Sequence, residues 1–365
     1  MIKISVIEKI SRQLANEGID ALLIAPSYDL DFVSGLRLKL YERFLGFVID
    51  KRANCFCVAP EMHRQEITET LGNDAALFFW EDASGYHETF SGALKDFALA
   101  GSKIAVNTSV RASDSADIAH RDGVEFLNGK HYVARQRMVK TPEDIENIRK
   151  ASEIADRVMI AFGKEVHSGM TELEAAHLIV DWYREYGGSW QPGALPIIAS
   201  GPNSALPHYD GHSRTIEDND VILVDSGCMY NGFHSDTTRT FFVGNPTEEQ
   251  RRVFDIVVAA EQRGEEEGRP GMSASELDAI VRGHIEASGY GRFFTHRTGH
   301  GIGIEVHELP DISPSDNTIL ELGMVFSIEP GIYLPGKFGV RFENLVAVTE
   351  TGLESLNRSP SRFGI

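Results

Sequence analysis

The segment VDSGCMYNGFHSDTTRT, Val224 to Thr240, constrains the fold more than any other stretch of the chain. It reads as a β-hairpin: Asn231-Gly232 is a strong turn signal, apolar Val221–Val224 leads in, and Phe241-Phe242-Val243 leads out. Yet each arm carries an acid, Asp225 and Asp236, where an apolar residue is expected. A buried carboxylate is costly unless it is paired, hydrogen-bonded or bound to a cation. With Asn231-Gly232 at the centre of the turn, the two acids lie diagonally across the strands; with Tyr230-Asn231 at the centre, they face each other directly. Either register sets both on one face with Cβ atoms ~4.5–8 Å apart, a span that one or two metal ions can bridge.

The theme recurs near the C-terminus. Glu329 stands in VFSIEPG and Glu343 in VRFENLV, and the intervening PGIYLPGKFG lets the strands return antiparallel, which makes the two acids neighbours. Arg239 and Arg341 are candidate counter-ions. For either pair alone a structural role is the simpler account. Four ionised carboxylates converging without cations would repel strongly, and two divalent ions would cancel their charge. His300, flanked by Gly299 and Gly301, is the best imidazole ligand, while His212, His284 and His296 read as ordinary core or surface residues. Four carboxylates with one imidazole suit Mn²⁺ first and admit Co²⁺, Zn²⁺ or Fe²⁺, whereas Ca²⁺ prefers all-oxygen sites. The natural chemistry of such a pair of ions is hydrolysis.

The formal net charge of −19 argues against nucleic acid as a partner and gives no attraction to anionic membranes. No apolar run approaches the ~18–20 residues of a membrane-spanning helix. The opening MIKISVIEKISRQLANEG is amphipathic and lacks the apolar core of a signal peptide. Cys55, Cys57 and Cys228 make neither a metal nor a disulfide pattern. A cytoplasmic location is therefore the expectation.

Residues 1–138 alternate short strands (DALLIA, FLGFVID, NCFCVAP, AALFFW, KIAVN, VEFLN) with helical patterns (VIEKISRQLANEGI, MHRQEITETL, ETFSGALKDFALA), which predicts an α/β domain. A restart follows at KTPEDIENIRK, with Thr141 as N-cap and Pro142 in the first turn. Residues 139–365 mix helices (142 onward, Glu172 to Tyr186, TEEQRRVFDIVVAAEQ, ASELDAIVRGHIEAS) with hairpins, which predicts an α+β domain. Thr247 and Gln250 occupy capping-box positions, and no fixed-period repeat is visible.

The stretches ASGPNSALPHY, VDSGCMYNGFHSDTTRTF, TGHGIGIEVHE, SIEPGIY and RFENLVAVT resemble those of the pita-bread metallopeptidases, within them the prolidase and aminopeptidase P branch. The resemblance covers almost the whole chain. It implies a creatinase-like N-terminal domain for dimerisation and substrate gating, followed by a pita-bread catalytic domain. It also implies that Asp225 chelates one metal, Asp236 and Glu343 bridge both, and His300 and Glu329 complete the ligand set of the other metal. By the same resemblance, a hydroxide activated by the two ions would attack the scissile carbonyl, Glu329 would relay the proton, and His208 and His307 would contact the substrate. The resemblance further implies a small peptide substrate cut before proline and a homodimer. An Xaa-Pro dipeptidase is the leading reading. An aminopeptidase P-like enzyme acting on longer peptides is the alternative, and a metal-free amidohydrolase of the creatinase fold or a binding protein without activity are remoter ones. One departure stands out: small prolidases carry an arginine four residues after the second histidine, where this chain has Asp311. A substitute cation is sought in Arg37, Lys39 and Arg43, with Arg43 the choice.

Overall fold

Leu22 and Ile24 point to one side of a six-stranded sheet and Ala21 and Leu23 to the other, and apolar side chains cover both sides. That two-sided burial explains why its strands read as unbroken apolar runs rather than alternating ones. The computed structural model describes residues 2–190 and 193–361. It divides into two compact units, Met1–Arg137 and Met138–Ile365.

In the first unit the strands lie in the order Ala76–Trp80, Cys55–Pro60, Gly46–Asp50, Ala21–Ile24, Lys103–Val106, Glu125–Asn128. The three central strands run antiparallel and the flanking ones join in parallel. Cys55 and Cys57 are buried and unbonded, in keeping with a packing role. Three helices go beyond the sequence expectations: Tyr28–Ser34, Ala112–Asp122 and Lys130–Met138. The second buries only Asp114 and Ile118, too thin an apolar stripe to register as a period. The helix expected to run to Ala100 stops at Asp96, and Ala98 takes a left-handed φ of 56°.

In the second unit four long helices come in two pairs, Pro142–Glu165 with Glu172–Glu185, and Glu248–Glu267 with Ala274–Ala287. Each begins with a capping box: Thr141 with Asp144, Thr171 with Glu174, Thr247 with Gln250, Ser273 with Glu276. Each cap contributes roughly 1 kcal/mol and fixes where its helix starts. The first pair packs on Ile198, Ile222, Val224 and Phe241 of a three-stranded antiparallel sheet. The second packs on Phe326, Ile328, Val346 and Val348 of a five-stranded one. The order helix, helix, sheet thus occurs twice, a repetition of architecture that no residue period announces. Each sheet carries one of the acid-bearing hairpins.

Candidate active site

Asp225 pairs with Thr238 and Ser226 with Thr237, while nearer the turn Met229 pairs with His234 and Tyr230 with Phe233. Both ladders keep one register, so Asn231 and Gly232, at φ 50° and 84°, are the two central turn residues. Asp236 therefore falls opposite Gly227 and diagonal to Asp225 on the same face, the first of the two registers open from sequence. The arms close tightly here: a Cβ on Gly227 would lie 1.9 Å from the Ser235 carbonyl oxygen.

The C-terminal hairpin follows the same logic. Ile328 pairs with Asn344 and Gly331 with Arg341, one register across two ladders, so Glu329 and Glu343 stand directly opposite each other in the gap. His300 enters on the strand Gly299–Gly301, between Glu308–Ile312 and Val325–Ile328. A Cβ at position 299 would lie 1.8 Å from the Ser327 carbonyl oxygen, so only glycine lets the strands approach this closely.

These elements bring the five candidate ligands together. His300 Nε2 is 3.3 Å from Glu329 Oε1 and 3.6 Å from Asp236 Oδ2. Its Nδ1 lies 3.1 Å from the Gly301 carbonyl, which assigns the proton to Nδ1 and leaves the Nε2 lone pair facing the acids. Atoms of Asp236, His300 and Glu343 that could bind one metal ion lie within 4.8 Å of one another. Glu343 accepts from Thr238 Oγ1 at 2.7 Å, and Glu329 from Ser327 Oγ at 3.3 Å. Asp225 accepts from Arg341 Nη2 at 2.5 Å.

The electrostatics of this group are short of positive charge. Burial, reinforced by Asp225 and Glu329, pushes the Asp236 carboxyl well above its ordinary range. Burial, then Asp236 and Glu329, does the same to Glu343, and burial lifts Glu329 to about 7. Burial also depresses His300 to about 3, which keeps its imidazole neutral. Of the two arginines proposed as counter-ions, Arg341 pairs with Asp225. Arg239 instead donates to the Glu343 and Thr238 carbonyls and to Asn344. One guanidinium beside four carboxylates and a neutral imidazole is a donor set suited to divalent cations.

A cleft of about 290 Å³ opens beside the acids, with Trp190, Leu195, Pro196, Ile197 and Val306 as its apolar lining. Asp225 and Asp236 line it too, as do His208 and His307, both exposed. The His307 ring meets that of His300 edge-on at 4.4 Å. His212 bonds to the Pro196 carbonyl and His284 sits half-buried on a helix, both apart from the acids. His296, read from sequence as equally ordinary, is not apart: its Nε2 meets the Tyr333 hydroxyl at 2.8 Å, and that hydroxyl accepts from Arg341 Nη1 at 2.8 Å. A chain from His296 through Tyr333 and Arg341 thus ends on Asp225. Only its place four residues before His300 hinted at this.

Arg43 belongs to the first unit, where Asp82 at 2.8 Å and Glu42 at 2.5 Å hold its guanidinium. The second unit has a cation of its own that sequence reading passed over: Arg297 Nη1 donates to Asp311. The signal was present, since Arg297 lies three residues before His300, but its pairing depends on a neighbouring strand.

Residues 146–350 match the family described as Metallopeptidase family M24, and residues 7–139 match the Creatinase/Prolidase N-terminal domain. The Xaa-Pro dipeptidase of Pyrococcus horikoshii is 33% identical over 354 residues, 97% of this chain and 97% of that one. The crystal structure of a prolidase from Thermococcus sibiricus superposes with a TM-score of 0.90 at 33% identity, covering 99% of this chain and 98% of its own. Dipeptidase PepE from Mycobacterium ulcerans gives 0.92 at 31% identity, with 98% and 96% covered. The expected fold, a creatinase-like α/β domain followed by an α+β pita-bread domain, is the observed one. The convergent acids, the cleft beside them and these likenesses lead to one conclusion: the chain belongs to metallopeptidase family M24.

Proposed function

We propose that this chain hydrolyses the peptide bond preceding proline in Xaa-Pro dipeptides, with two divalent ions held by Asp225, Asp236, His300, Glu329 and Glu343. The carrying observation is the convergence of four carboxylates and a neutral imidazole, with Arg341 the one guanidinium ion-paired to any of the four among the described residues. Relatives named Xaa-Pro dipeptidase and prolidase support the choice of substrate. Mn²⁺ is the first choice on hardness of the donor set, with Co²⁺, Zn²⁺ or Fe²⁺ as alternatives. When bound, such ions would cancel the carboxylate charge, acidify a water and polarise the scissile carbonyl.

The protein's own groups do the rest. Glu329 accepts the proton of the attacking water and returns it to the proline nitrogen as the C–N bond breaks. His208 and His307, on the rim of the cleft, donate hydrogen bonds to the carbonyl oxygen as it gains charge. Arg341 fixes the orientation of Asp225, and Thr238 that of Glu343. The wall of Trp190, Pro196 and Val306 offers an apolar seat to a pyrrolidine ring.

The catalytic assignment falls within residues 139–365, and we assign dimerisation to residues 1–138 on the match to the N-terminal domain. Three buried thiols unbonded to one another suit a reducing cytoplasm. The deciding experiment strips the enzyme of metal, restores Mn²⁺, Co²⁺ or Zn²⁺ singly, and offers Ala-Pro beside Ala-Pro-Ala-Ala. Turnover of Ala-Pro only after metal is restored supports the proposal. Exclusive cleavage of the longer peptide favours the aminopeptidase reading, and undiminished turnover after stripping refutes both.

A further inference from the structure

Asp311 pairs directly with His300 across the strands Glu308–Ile312 and Gly299–Gly301. Opposed residues of an antiparallel ladder share a face, so the Asp311 carboxylate rises on the side where His300 meets the acids. Arg297 reaches that carboxylate through Nη1. Its Nε and Nη2, the edge of a guanidinium that meets a carboxylate fork-on, have no partner among the described residues. The Arg297 side chain is 33% exposed and that of Asp311 39%. Other arginines of this region are committed elsewhere: Arg341 bonds through Nε, Nη1 and Nη2 inside the protein, Arg239 is buried with Nη1 and Nη2 on the Thr238 and Glu343 carbonyls and Asn344, and Arg282 holds Asp278 and two carbonyls. The charge of Arg297 reaches His307, His300 and Glu329, which puts it near both the candidate ligands and the cleft rim.

We propose that Arg297, held in place by Asp311, receives the C-terminal carboxylate of a short peptide and thereby selects for dipeptides. The inference deepens the dipeptidase reading and rests on it. Asp311 is a positioning residue: by occupying Nη1 it restrains a long side chain whose ordering would otherwise cost entropy, and it leaves the Nε–Nη2 edge free for substrate. An aspartate near the substrate carboxylate is then tolerable, because its own charge is spent on the arginine. Arg297, rather than a cation of the first unit, supplies the positive end of the site.

The test compares kcat/KM for Ala-Pro with that for Ala-Pro amide on the Mn²⁺-loaded enzyme. Losing a charge-assisted contact predicts that Arg297→Met lowers the acid-to-amide ratio about 10- to 100-fold, chiefly through KM. Arg297→Lys, which keeps the charge without the fork, restores part of the ratio, and Asp311→Asn lowers it less than Arg297→Met does. An Arg297→Met enzyme that keeps the wild-type ratio overturns the proposal, as does a wild-type enzyme indifferent to amidation. Calorimetric titration of the metal-loaded proteins with L-proline reads the same contact without turnover. Weaker binding by at least about 10-fold in Arg297→Met supports the proposal, and equal binding refutes it. Wild-type protein that binds proline through Arg297 yet cleaves no Xaa-Pro peptide would sink the dipeptidase reading alone.

Discussion

Arg341 donates to Asp225 at 2.5 Å, and among the described residues it pairs with none of Asp236, Glu329 or Glu343. Three carboxyls are thus buried beside one another with no ion-pair partner of their own among arginines and lysines of the described residues, and burial and mutual repulsion outweigh the more distant guanidinium charge. The consequences of that imbalance can be measured on the protein itself, with and without metal.

The first concerns pH and the stripped protein. Glu329 holds its proton up to about 7 when folded, against an ordinary 4.5. Between those values the folded state binds a proton that the unfolded state has released, so stability falls as pH rises through the interval. The loss is on the order of 3 kcal/mol, and Asp236 and Glu343 act in the same sense. Thermal melts in chelator at pH 5, 6 and 7 should show a declining Tm. Metal should reverse the decline and release protons into weakly buffered solution. A Tm that climbs across this range contradicts the account.

Asp236→Asn separates ligation from stability. The variant should lose at least about 100-fold in activity together with bound metal, because it removes one of the three donors gathered within 4.8 Å. Its metal-free form should nonetheless be more stable than the stripped wild type above pH 7, since one buried like charge is gone. Metal analysis and chelator melts on the same preparation check both halves.

His307→Ala probes the substrate side. Its ring touches that of His300 but points into the cleft rather than among the acids. Loss of a donor to the developing oxyanion predicts about 10²- to 10³-fold lower kcat with normal metal content. Depleted metal in this variant would instead mean that the ring supports the centre.

Two glycine substitutions should move stability in opposite directions. Gly227→Ala drives a Cβ to 1.9 Å from a backbone oxygen and should cost more than about 3 kcal/mol, or prevent folding. Gly283→Ala, within the helix Ala274–Ala287 with nothing inside 4 Å of the new methyl group, should gain roughly 0.5–1 kcal/mol. Urea denaturation of the metal-free proteins reads both.

Much of this site was legible because its key relationships are short-range. Asn231-Gly232 demands positive φ at both positions, and that turn alone sets the register that puts Asp225 and Asp236 on one face. Glu329 and Glu343 are likewise linked by a single hairpin. Thr141 and Thr247 mark helix starts through contacts three residues away. Local backbone chemistry suffices for each of these, so the residues themselves determined it.

Long-range packing decided the rest. Which arginine would balance which acid depended on strands 116 residues apart meeting, as Arg341 and Asp225 do. The partnership of Arg297 with Asp311 and the place of His296 beside Tyr333 arise in the same way. Sequence periodicity reports only which face of an element is buried, and an ion pair between elements leaves no trace in either element's period. Only the folded chain could therefore show that the acids of two hairpins meet around one histidine, with Arg341 paired to just one of them.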